Sequence, residues 1–252
     1  HVGNSRYAAS KGGKVQLHDQ QVRYQLSQEG QNPIAVVLGC ADSRAPIEIL
    51  FDMRPGDLFV LRNAGNTCSS QRCNLIGSAE YAVKELGCKL IVVIGHTKCG
   101  AVTAALDLAR RQKHASDQSN IGNVLAGIMG SATNAVRTLP NSAVSDQLML
   151  ATKLNIGQSI QRMIESSYII RQGIIEMDLQ VHGAVYDLFT GCVEWLGQHK
   201  DLESLVGTEL PLHHWKVSPY VRDFSYSLDG QGEAREALRL LHEGNQRFLR
   251  GE

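Results

Sequence analysis

Short runs of apolar residues that do not alternate with polar ones constrain the fold of this chain more than any other feature. Residues 34–39 (IAVVLG) and 89–95 (KLIVVIG) are two such runs, each of strand length. A strand without alternation is buried on both faces, which is typical of a parallel sheet with helices on either side. Residues 57–62 predict another strand, and apolar residues at helical spacing predict helices near 75–86 and 101–112.

The alternation of strands and helices predicts an α/β fold whose core is a mostly parallel sheet covered by helices. Later in the chain, residues 178–187 and 191–196 predict two paired strands near the edge of the sheet, with an antiparallel strand at that edge. The remaining predictions are helices at 121–138 and 148–172 and a loop at 200–232. Right-handed crossovers would bring the carboxyl ends of the parallel strands to one edge, where sheets of this class bind ligands.

The balance of charges argues against nucleic acid as a partner. Lys and Arg together number 25, as do Asp and Glu, so the chain has no excess of positive charge for a phosphate backbone. No apolar stretch approaches the roughly 20 residues that cross a bilayer, so no membrane contact is expected. The six cysteines are too sparse for a disulfide scaffold. A soluble protein of the cytoplasm or of a chloroplast-like compartment is therefore expected.

Three potential metal ligands follow the two buried strands. Cys40 comes after the first strand, and His96 and Cys99 share a tight turn after the other. Thiolate and neutral imidazole are the usual protein ligands of zinc, and a catalytic zinc site uses three of them and leaves one position open. Each residue alone has a simpler explanation, as a buried cysteine or a loop histidine. Because neighbouring strands would bring all three to one edge, the sequence predicts a zinc site there.

A charged pair lies beside the first of these ligands. Asp42 comes two residues after Cys40, so its carboxylate can reach either a metal or a water bound to the metal. The planar guanidinium of Arg44 can hold that carboxylate in place. The alternative is a surface ion pair that contributes little to stability. The position of the pair at the end of a buried strand favours a role in catalysis.

Three motifs around these residues closely resemble those of the β-class carbonic anhydrases. They are Cys40-Ala-Asp-Ser-Arg44, Arg62-Asn-Ala-Gly-Asn66 and Gly95-His-Thr-Lys-Cys-Gly100. The resemblance runs from about residue 3 to residue 196. It implies the fold of that family, with one Zn²⁺ per domain as the cofactor. The zinc ligands that it implies are Cys40, His96 and Cys99, and the catalytic pair is Asp42 and Arg44.

The resemblance also implies a reaction and a substrate pocket. The family catalyses the reversible hydration of carbon dioxide to bicarbonate and a proton, by attack of a zinc-bound hydroxide. The pocket residues that the resemblance implies are Gln31, Phe59, Ala64, Tyr81 and Gly100. Gln31 matches the plant-like active site, and Val37 replaces a tryptophan of the type regulated by bicarbonate. Members of the family assemble as dimers or multiples of dimers, so a homodimer or a pseudo-dimer of tandem repeats is expected.

Other functions are compatible with the same residues. A hydrolase of carbonyl sulfide or carbon disulfide would share the fold and the zinc site, because such enzymes resemble this family. A non-catalytic zinc module that contributes only to oligomer structure is another alternative, and the Asp42–Arg44 pair argues against it. A thiol redox role is the least favoured, since the chain contains no Cys-x-x-Cys motif.

A short internal repeat suggests how the chain is organised. His1-Val-Gly-Asn-Ser-Arg-Tyr7 matches His242-Glu-Gly-Asn-Gln-Arg-Phe248, with identity at His, Gly, Asn and Arg and an aromatic residue at the last position. A match this short also arises by chance, but residues 233–250 have the pattern of an amphipathic helix. We therefore predict that residues 1–230 form a β-carbonic anhydrase-like catalytic domain. Residues 231–252 would then resemble the opening helix of the next copy in a tandem array.

Overall fold

A computed structural model describes residues 20–68, 73–113, 115, 119–207 and 232–251 of the chain. The strands in these ranges form one sheet of the order β2-β1-β3-β4-β5. They are β1 (Ala35–Cys40), β2 (Leu58–Asn63), β3 (Leu90–His96), β4 (Gln180–Tyr186) and β5 (Val193–Gln198). The first four strands are parallel to their neighbours, and β5 runs antiparallel to β4 at the sheet edge. The predicted α/β fold with a mostly parallel sheet and an antiparallel edge strand is confirmed.

Helices cover both faces of this sheet. In the described ranges they are α1 (Gln20–Glu29), α2 (Ile47–Leu50), α3 (Asn74–Lys84), α4 (Gly100–Arg110), α5 (Asn120–Thr138), α6 (Val144–Ser166), α7 (Tyr168–Glu176), α8 (Leu202–Val206) and α9 (Glu233–Arg250). The helices predicted at residues 75–86, 101–112 and 121–138 correspond to α3, α4 and α5. Their predicted ends differ from the observed ones by no more than two residues. None of the described helices is both long and apolar enough to span a membrane.

The helix predicted at residues 148–172 is in fact two helices, α6 and α7, which meet at Ser167. The backbone of Ser167 is extended, with φ −119° and ψ 112°. Its hydroxyl accepts a hydrogen bond from the backbone N–H of Ile170 and donates one to Glu80 Oε1 across 2.6 Å. Serine at this position therefore ends one helix and caps the next, an effect that the apolar spacing does not reveal.

The loop predicted at residues 200–232 is wrong in its first part, where α8 forms. Leu202 and Val206 lie one helical turn apart, and both side chains are buried in the core. This burial stabilises a single turn of helix despite the irregular sequence around it. Residues 208–231 of the predicted loop lie outside the described residues.

The two faces of the sheet pack against different helices. Every residue of β1 is buried, as the lack of alternation predicted. Leu38 belongs to the apolar cluster that includes Met163 of α6, whereas its neighbour Val37 belongs to the cluster that includes Leu241 of α9. Because successive side chains of a strand point to opposite faces, α6 and α9 lie on opposite sides of the sheet. Helix α9 is therefore an integral part of the second core layer.

Polar side chains are buried where β4 pairs with β5. Gln180, His182 and Gln198 are no more than 7% exposed, and His182 lies opposite Gln198 in the strand register. His182 Nε2 donates to Gln180 Oε1 across 2.9 Å. Burial lowers the pKa of His182 from 6.5 to about 4, so the imidazole is neutral in the folded protein near pH 7.

We expect acid to destabilise the fold through this histidine. The unfolded chain binds the proton first as the pH falls, because the folded-state pKa of about 4 lies below the unfolded value of 6.5. Above pH 6.5 the neutral imidazole makes its full contribution to the free energy of unfolding. This contribution is lost as the pH falls from 6.5 toward 4, and the total loss is about 3 kcal/mol. Urea unfolding of the native chain and of His182→Asn across this range measures the effect.

The His182→Asn variant should lose stability more gradually with acid than the native chain does. His199 has a pKa that burial also lowers, so some of the pH dependence should persist in the variant. Substitution of the exposed His242 by Asn serves as the control and should leave the slope unchanged. Equal slopes for His182→Asn and the native chain would contradict the prediction.

Candidate metal centre

The order of the strands places the predicted ligands at one edge of the sheet. β1 and β3 are parallel neighbours, and Cys40 and His96 are their last residues rather than residues of the following loops. Cys99 follows a tight turn in which Lys98 has a positive φ of 55°, and it forms the N-cap of α4. The carboxyl ends of two neighbouring strands therefore bring three side chains together.

These three side chains, which we call the ligand group, are compact and buried. The sulfur atoms of Cys40 and Cys99 are 3.9 Å apart. The possible ligand atoms of Cys40, His96 and Cys99 all lie within 4.8 Å of one another, and each residue is no more than 5% exposed. Two sulfurs and one imidazole nitrogen form a donor set that zinc prefers, and three donors leave a position for a further ligand.

The histidine ring of the ligand group is oriented as in a metal site. His96 Nδ1 donates to the backbone oxygen of Thr97 across 3.0 Å, which leaves the lone pair of Nε2 available. Nε2 is buried, and it has no hydrogen-bond partner in the part of the chain that the structure describes. A buried nitrogen without a partner is costly, and coordination to a cation would remove that cost. The residues present therefore fit zinc.

Hydrogen bonds favour the thiolate form of Cys40. The thiol of Cys99 lowers the pKa of Cys40 against the opposing effect of burial, and the backbone N–H of Gly65 donates to the Cys40 sulfur across 3.3 Å. The contact with Cys40, together with burial, raises the pKa of Cys99. The two sulfurs thus share one proton, and a divalent cation can replace it by binding both as thiolates.

Asp42 is held by Arg44 on both of its oxygens. The Nε and the backbone N–H of Arg44 each donate to Oδ1 across 2.9 Å, and Nη2 donates to Oδ2 across 2.7 Å. These hydrogen bonds hold the pKa of Asp42 below its usual range, so the carboxyl group is ionised. Oδ2 lies 3.8 Å from Nε2 of His96, so the carboxylate borders the ligand group.

Arg62 supports the segment that carries Asp42, a role that was not predicted from the sequence. Its guanidinium donates to the backbone oxygens of Cys40 at 2.9 Å, Asp42 at 2.6 Å and Ala45 at 3.2 Å. One side chain of β2 therefore ties the end of β1 to the turn that follows it. The sequence did contain a signal for this role. Arg62 lies near the end of a predicted strand and is the first residue of the motif that ends at Asn66.

Two polar residues of α6 hold the turn that supports Cys40. Asn155 Nδ2 donates to the backbone oxygen of Gly65 across 2.8 Å, and Ser159 Oγ donates to that of Asn66 across 2.9 Å. Gly65 has a φ of 75°, which glycine adopts without strain. Asn155 and Ser159 therefore hold the two peptides that follow the Gly65 N–H, which donates to the Cys40 sulfur, and no local pattern predicted them.

We expect Asn155→Ala to weaken zinc binding without abolishing it. Loss of a side chain that orients a metal ligand typically lowers metal affinity by about 10–100-fold. Competition with a chromophoric chelator measures the affinity, and Gln161→Ala on the same helix is the control. Among the described residues, the side-chain amide of Gln161 donates to the exposed Glu165, away from the ligand group, so its replacement should leave the affinity unchanged. An Asn155→Ala protein with native zinc affinity would refute this supporting role.

Two of the five predicted pocket residues adjoin the ligand group. Ala64 directly precedes Gly65, the donor to the Cys40 sulfur, and Gly100 directly follows Cys99 as the first residue of α4. Both are exposed at the carboxyl edge of the sheet. They can therefore line a space beside the ligands.

The other three pocket residues lie away from the ligand group of the same chain. Phe59 and Tyr81 contact each other, with ring centroids 6.2 Å apart. Phe59 pairs with Val36 near the amino end of β1, so it lies roughly 13 Å along the sheet from the level of Cys40. Gln31 precedes β1 and is exposed. In a single copy these three side chains do not contact the ligand group.

Comparison with known proteins shows the family of this chain. A family model described as carbonic anhydrase matches residues 35–193, which include the whole ligand group. Carbonic anhydrase 2 of Mycobacterium tuberculosis is 49% identical over 105 residues, which are 41% of this chain and 48% of that protein. The match thus spans about half the length of that relative. A carbonic anhydrase of Mycolicibacterium smegmatis is 35% identical over 198 residues, or 76% of this chain and 87% of that protein.

Solved structures show the same fold. A tetrameric β-carbonic anhydrase from the filamentous ascomycete Sordaria macrospora is 29% identical and superposes with a TM-score of 0.64. The alignment covers 78% of this chain and 94% of the fungal one. The family match, the relatives and the fold agree, and this chain belongs to the β class of the carbonic anhydrase family.

Proposed function

We propose that this chain catalyses the reversible hydration of carbon dioxide to bicarbonate and a proton, with zinc held by Cys40, His96 and Cys99. The observation that carries the proposal is a buried group of two sulfurs and one imidazole with an ionised carboxylate beside it. A structural zinc site is usually closed by four protein ligands, whereas a catalytic one keeps a position for water. Membership of the carbonic anhydrase family supports the same reaction.

The cofactor and the carboxylate would have separate tasks. Zinc bound to two thiolates and one imidazole would supply a Lewis acid that lowers the pKa of a coordinated water toward neutrality. Asp42 Oδ2 would accept a hydrogen bond from the attacking water, and thereby turn an oxygen lone pair toward the substrate carbon. An ionised carboxylate accepts hydrogen bonds only, so it holds the nucleophile in one orientation. Arg44 keeps this carboxylate ionised and fixed in place.

A stopped-flow assay with a pH indicator tests the proposed reaction on the purified protein. We expect carbon dioxide hydration far above the rate of the buffer, and no release of sulfide from carbonyl sulfide or carbon disulfide in a parallel assay. Sulfide release without hydration would overturn the proposal. The relatives and the solved structure named above are all carbonic anhydrases, so they support neither the sulfide-hydrolase nor the non-catalytic alternative.

The proposed pocket requires a second copy of the chain. Gln31, Phe59 and Tyr81 lie away from the ligand group of their own chain, and Tyr81 is 50% exposed. A partner copy that presents these side chains to the ligand group would complete an apolar slot for carbon dioxide with one amide for bicarbonate. We therefore propose a homodimer, or a pseudo-dimer of tandem repeats, as the working unit. Analytical ultracentrifugation should show a dimer or a multiple of it, and a fully active monomer would contradict this proposal.

We also propose that residues 1–230 form one catalytic domain and that residues 231–252 open another copy. The support is the sequence identity between residues 1–7 and 242–248 at four of seven positions. Residues 1–19 and 208–231 lie outside the described residues.

A further inference from the structure

The orientation of the histidine in the ligand group depends on the backbone oxygen of Thr97. His96 Nδ1 donates to this oxygen across 3.0 Å, and that bond leaves the lone pair of Nε2 available. The ring is 1% exposed, so the protein around it sets its orientation. Any contact that fixes the Thr97 oxygen therefore also fixes the direction in which Nε2 points.

Two contacts at the end of β4 hold Thr97. Its backbone N–H donates to the oxygen of Tyr186 across 3.0 Å, which extends the pairing of β3 with β4 by one residue. Its hydroxyl oxygen accepts a hydrogen bond from the backbone N–H of Leu188, also across 3.0 Å. Valine has the same shape as threonine but cannot accept the second bond, so this contact requires the hydroxyl.

Asp187 shapes the turn that presents the Leu188 N–H to Thr97. Its Oδ1 accepts hydrogen bonds from the backbone N–H of Phe189 at 2.9 Å, from that of Thr190 at 2.7 Å and from the Thr190 hydroxyl at 3.0 Å. The N–H of Thr190 lowers the pKa of Asp187 most, and the hydroxyl of Thr97 also contributes to the lowering. The ionised carboxylate thus holds the turn in one shape beside Thr97.

Arg44 holds the other end of the turn that carries Thr97. Lys98 has a positive φ of 55°, which is costly for a residue with a side chain, and Arg44 Nη2 donates to its backbone oxygen across 3.3 Å. The turn between His96 and Cys99 is therefore held from two directions, by a guanidinium group and by the end of β4. Loss of the β4 contacts would allow the strained turn to relax, and the Thr97 oxygen would move with it.

We propose that Thr97 and Asp187 are positioning residues of the metal centre, which hold in place the oxygen that accepts the His96 Nδ1 proton. Neither residue belongs to the ligand group, so both act through His96. A fixed carbonyl oxygen selects the tautomer, orients the ring and raises the basicity of Nε2, and each effect favours zinc binding. The proposal rests on the zinc ligands given in the proposed function, and it identifies residues outside the ligand group that prepare one of those ligands.

Replacement of Thr97 by valine and by serine tests the role of the hydroxyl. Thr97→Val removes the acceptor for the Leu188 N–H, and it should lower zinc affinity by about 10–100-fold in competition with a chromophoric chelator. Thr97→Ser keeps the hydroxyl and should recover the affinity to within about 3-fold of the native value. Native affinity in Thr97→Val, or a serine variant as weak as the valine one, would overturn the proposal.

The visible spectrum of the cobalt(II)-substituted protein reports on ligand geometry separately from zinc affinity. A displaced imidazole changes the ligand field of Co²⁺, so the bands of cobalt-loaded Thr97→Val should differ from the native ones. The bands of cobalt-loaded Thr97→Ser should coincide with the native bands. Identical spectra for all three proteins would show that Thr97 does not orient His96.

A destabilised variant separates positioning from a general loss of stability. Cys88→Ala removes a buried thiol that donates to the backbone oxygen of Pro33, at the opposite end of β3 from the ligand group. It should lower the thermal unfolding midpoint of the metal-free protein and leave zinc affinity unchanged. If Cys88→Ala weakens zinc binding as much as Thr97→Val does, the positioning role is refuted.

Replacement of Asp187 by alanine and by asparagine tests the turn. Asp187→Ala should lower zinc affinity by about 3–10-fold, less than Thr97→Val does, because it acts through one further contact. Asn at this position can still accept hydrogen bonds from Phe189 and Thr190, so Asp187→Asn should restore most of the affinity. Native affinity in Asp187→Ala would remove Asp187 from the proposal.

Chelator competition and the cobalt spectrum do not require turnover. A protein that gives the expected zinc and cobalt results but does not hydrate carbon dioxide would refute the proposed function alone. Hydration at the native rate, together with native zinc affinity in Thr97→Val, would refute the positioning role alone.

Discussion

Replacement of Cys99 by alanine is expected to remove zinc from the protein and to abolish carbon dioxide hydration. The Cys99 sulfur lies 3.9 Å from that of Cys40, and the variant leaves two donors where catalytic zinc uses three. Loss of a residue that only supports a ligand lowers metal affinity by about 10–100-fold. Because Cys99 is itself a proposed ligand, its loss should lower zinc affinity by more than about 100-fold. Metal analysis by mass spectrometry and stopped-flow hydration on the same sample measure both effects.

Cys88→Ala is the matched control for this variant. Cys88 is also a buried free cysteine, 2% exposed, but its thiol donates to the backbone oxygen of Pro33 at the opposite end of β3. Its replacement should lower stability and leave the zinc content and the hydration rate unchanged. A Cys99→Ala protein that keeps one zinc per chain and the native rate would show that the ligand group has been wrongly assigned.

Asp42→Ala should lower kcat/KM for carbon dioxide by about 10²–10⁴-fold while the zinc content stays at its native level. The carboxylate borders the ligand group, with Oδ2 at 3.8 Å from His96 Nε2, but it is not among the three predicted zinc ligands. Its loss would leave the attacking water without an acceptor to orient it. Separate measurement of zinc content and rate distinguishes this effect from loss of metal.

Two further variants define the role of this carboxylate. Arg44→Ala should reduce the rate less than Asp42→Ala, because the backbone N–H of residue 44 still donates to Oδ1. Asp107→Ala removes an exposed carboxylate of α4 that is outside the site, and it should have no effect on the rate. A native rate for Asp42→Ala would eliminate the proposed acceptor and require another residue to orient the water.

The sequence predicted the fold well because its strongest signals are local. The two runs without alternation predict β1 and β3 as buried neighbours, and the structure has them side by side with every residue buried. The same pattern also predicts that Cys40 and His96 lie at one edge of the sheet. Both residues close their strands instead of following them, a difference of one residue at each boundary. Strand ends depend on hydrogen bonds to neighbouring strands, which a local pattern does not contain.

The features that the sequence could not predict depend on contacts between distant residues. Asn155 reaches Gly65 across 90 positions, and Asn245 reaches Leu50 across 195. In the sequence, Asn155 is only a polar residue of a predicted helix, and the short repeat that includes Asn245 does not reveal which backbone groups this side chain meets. The break at Ser167 likewise depends on a hydrogen bond to Glu80, 87 positions earlier. Helical periodicity records which face is buried but not which backbone group a polar side chain meets.

Zinc content and carbon dioxide hydration, measured on one preparation before and after chelation, test the central claim most directly. We expect one zinc per chain, loss of hydration in proportion to the zinc removed, and recovery when zinc is returned. This result would follow from three buried donors that hold one ion with a position left for water. A zinc-free protein that hydrates carbon dioxide at the full rate would contradict the account.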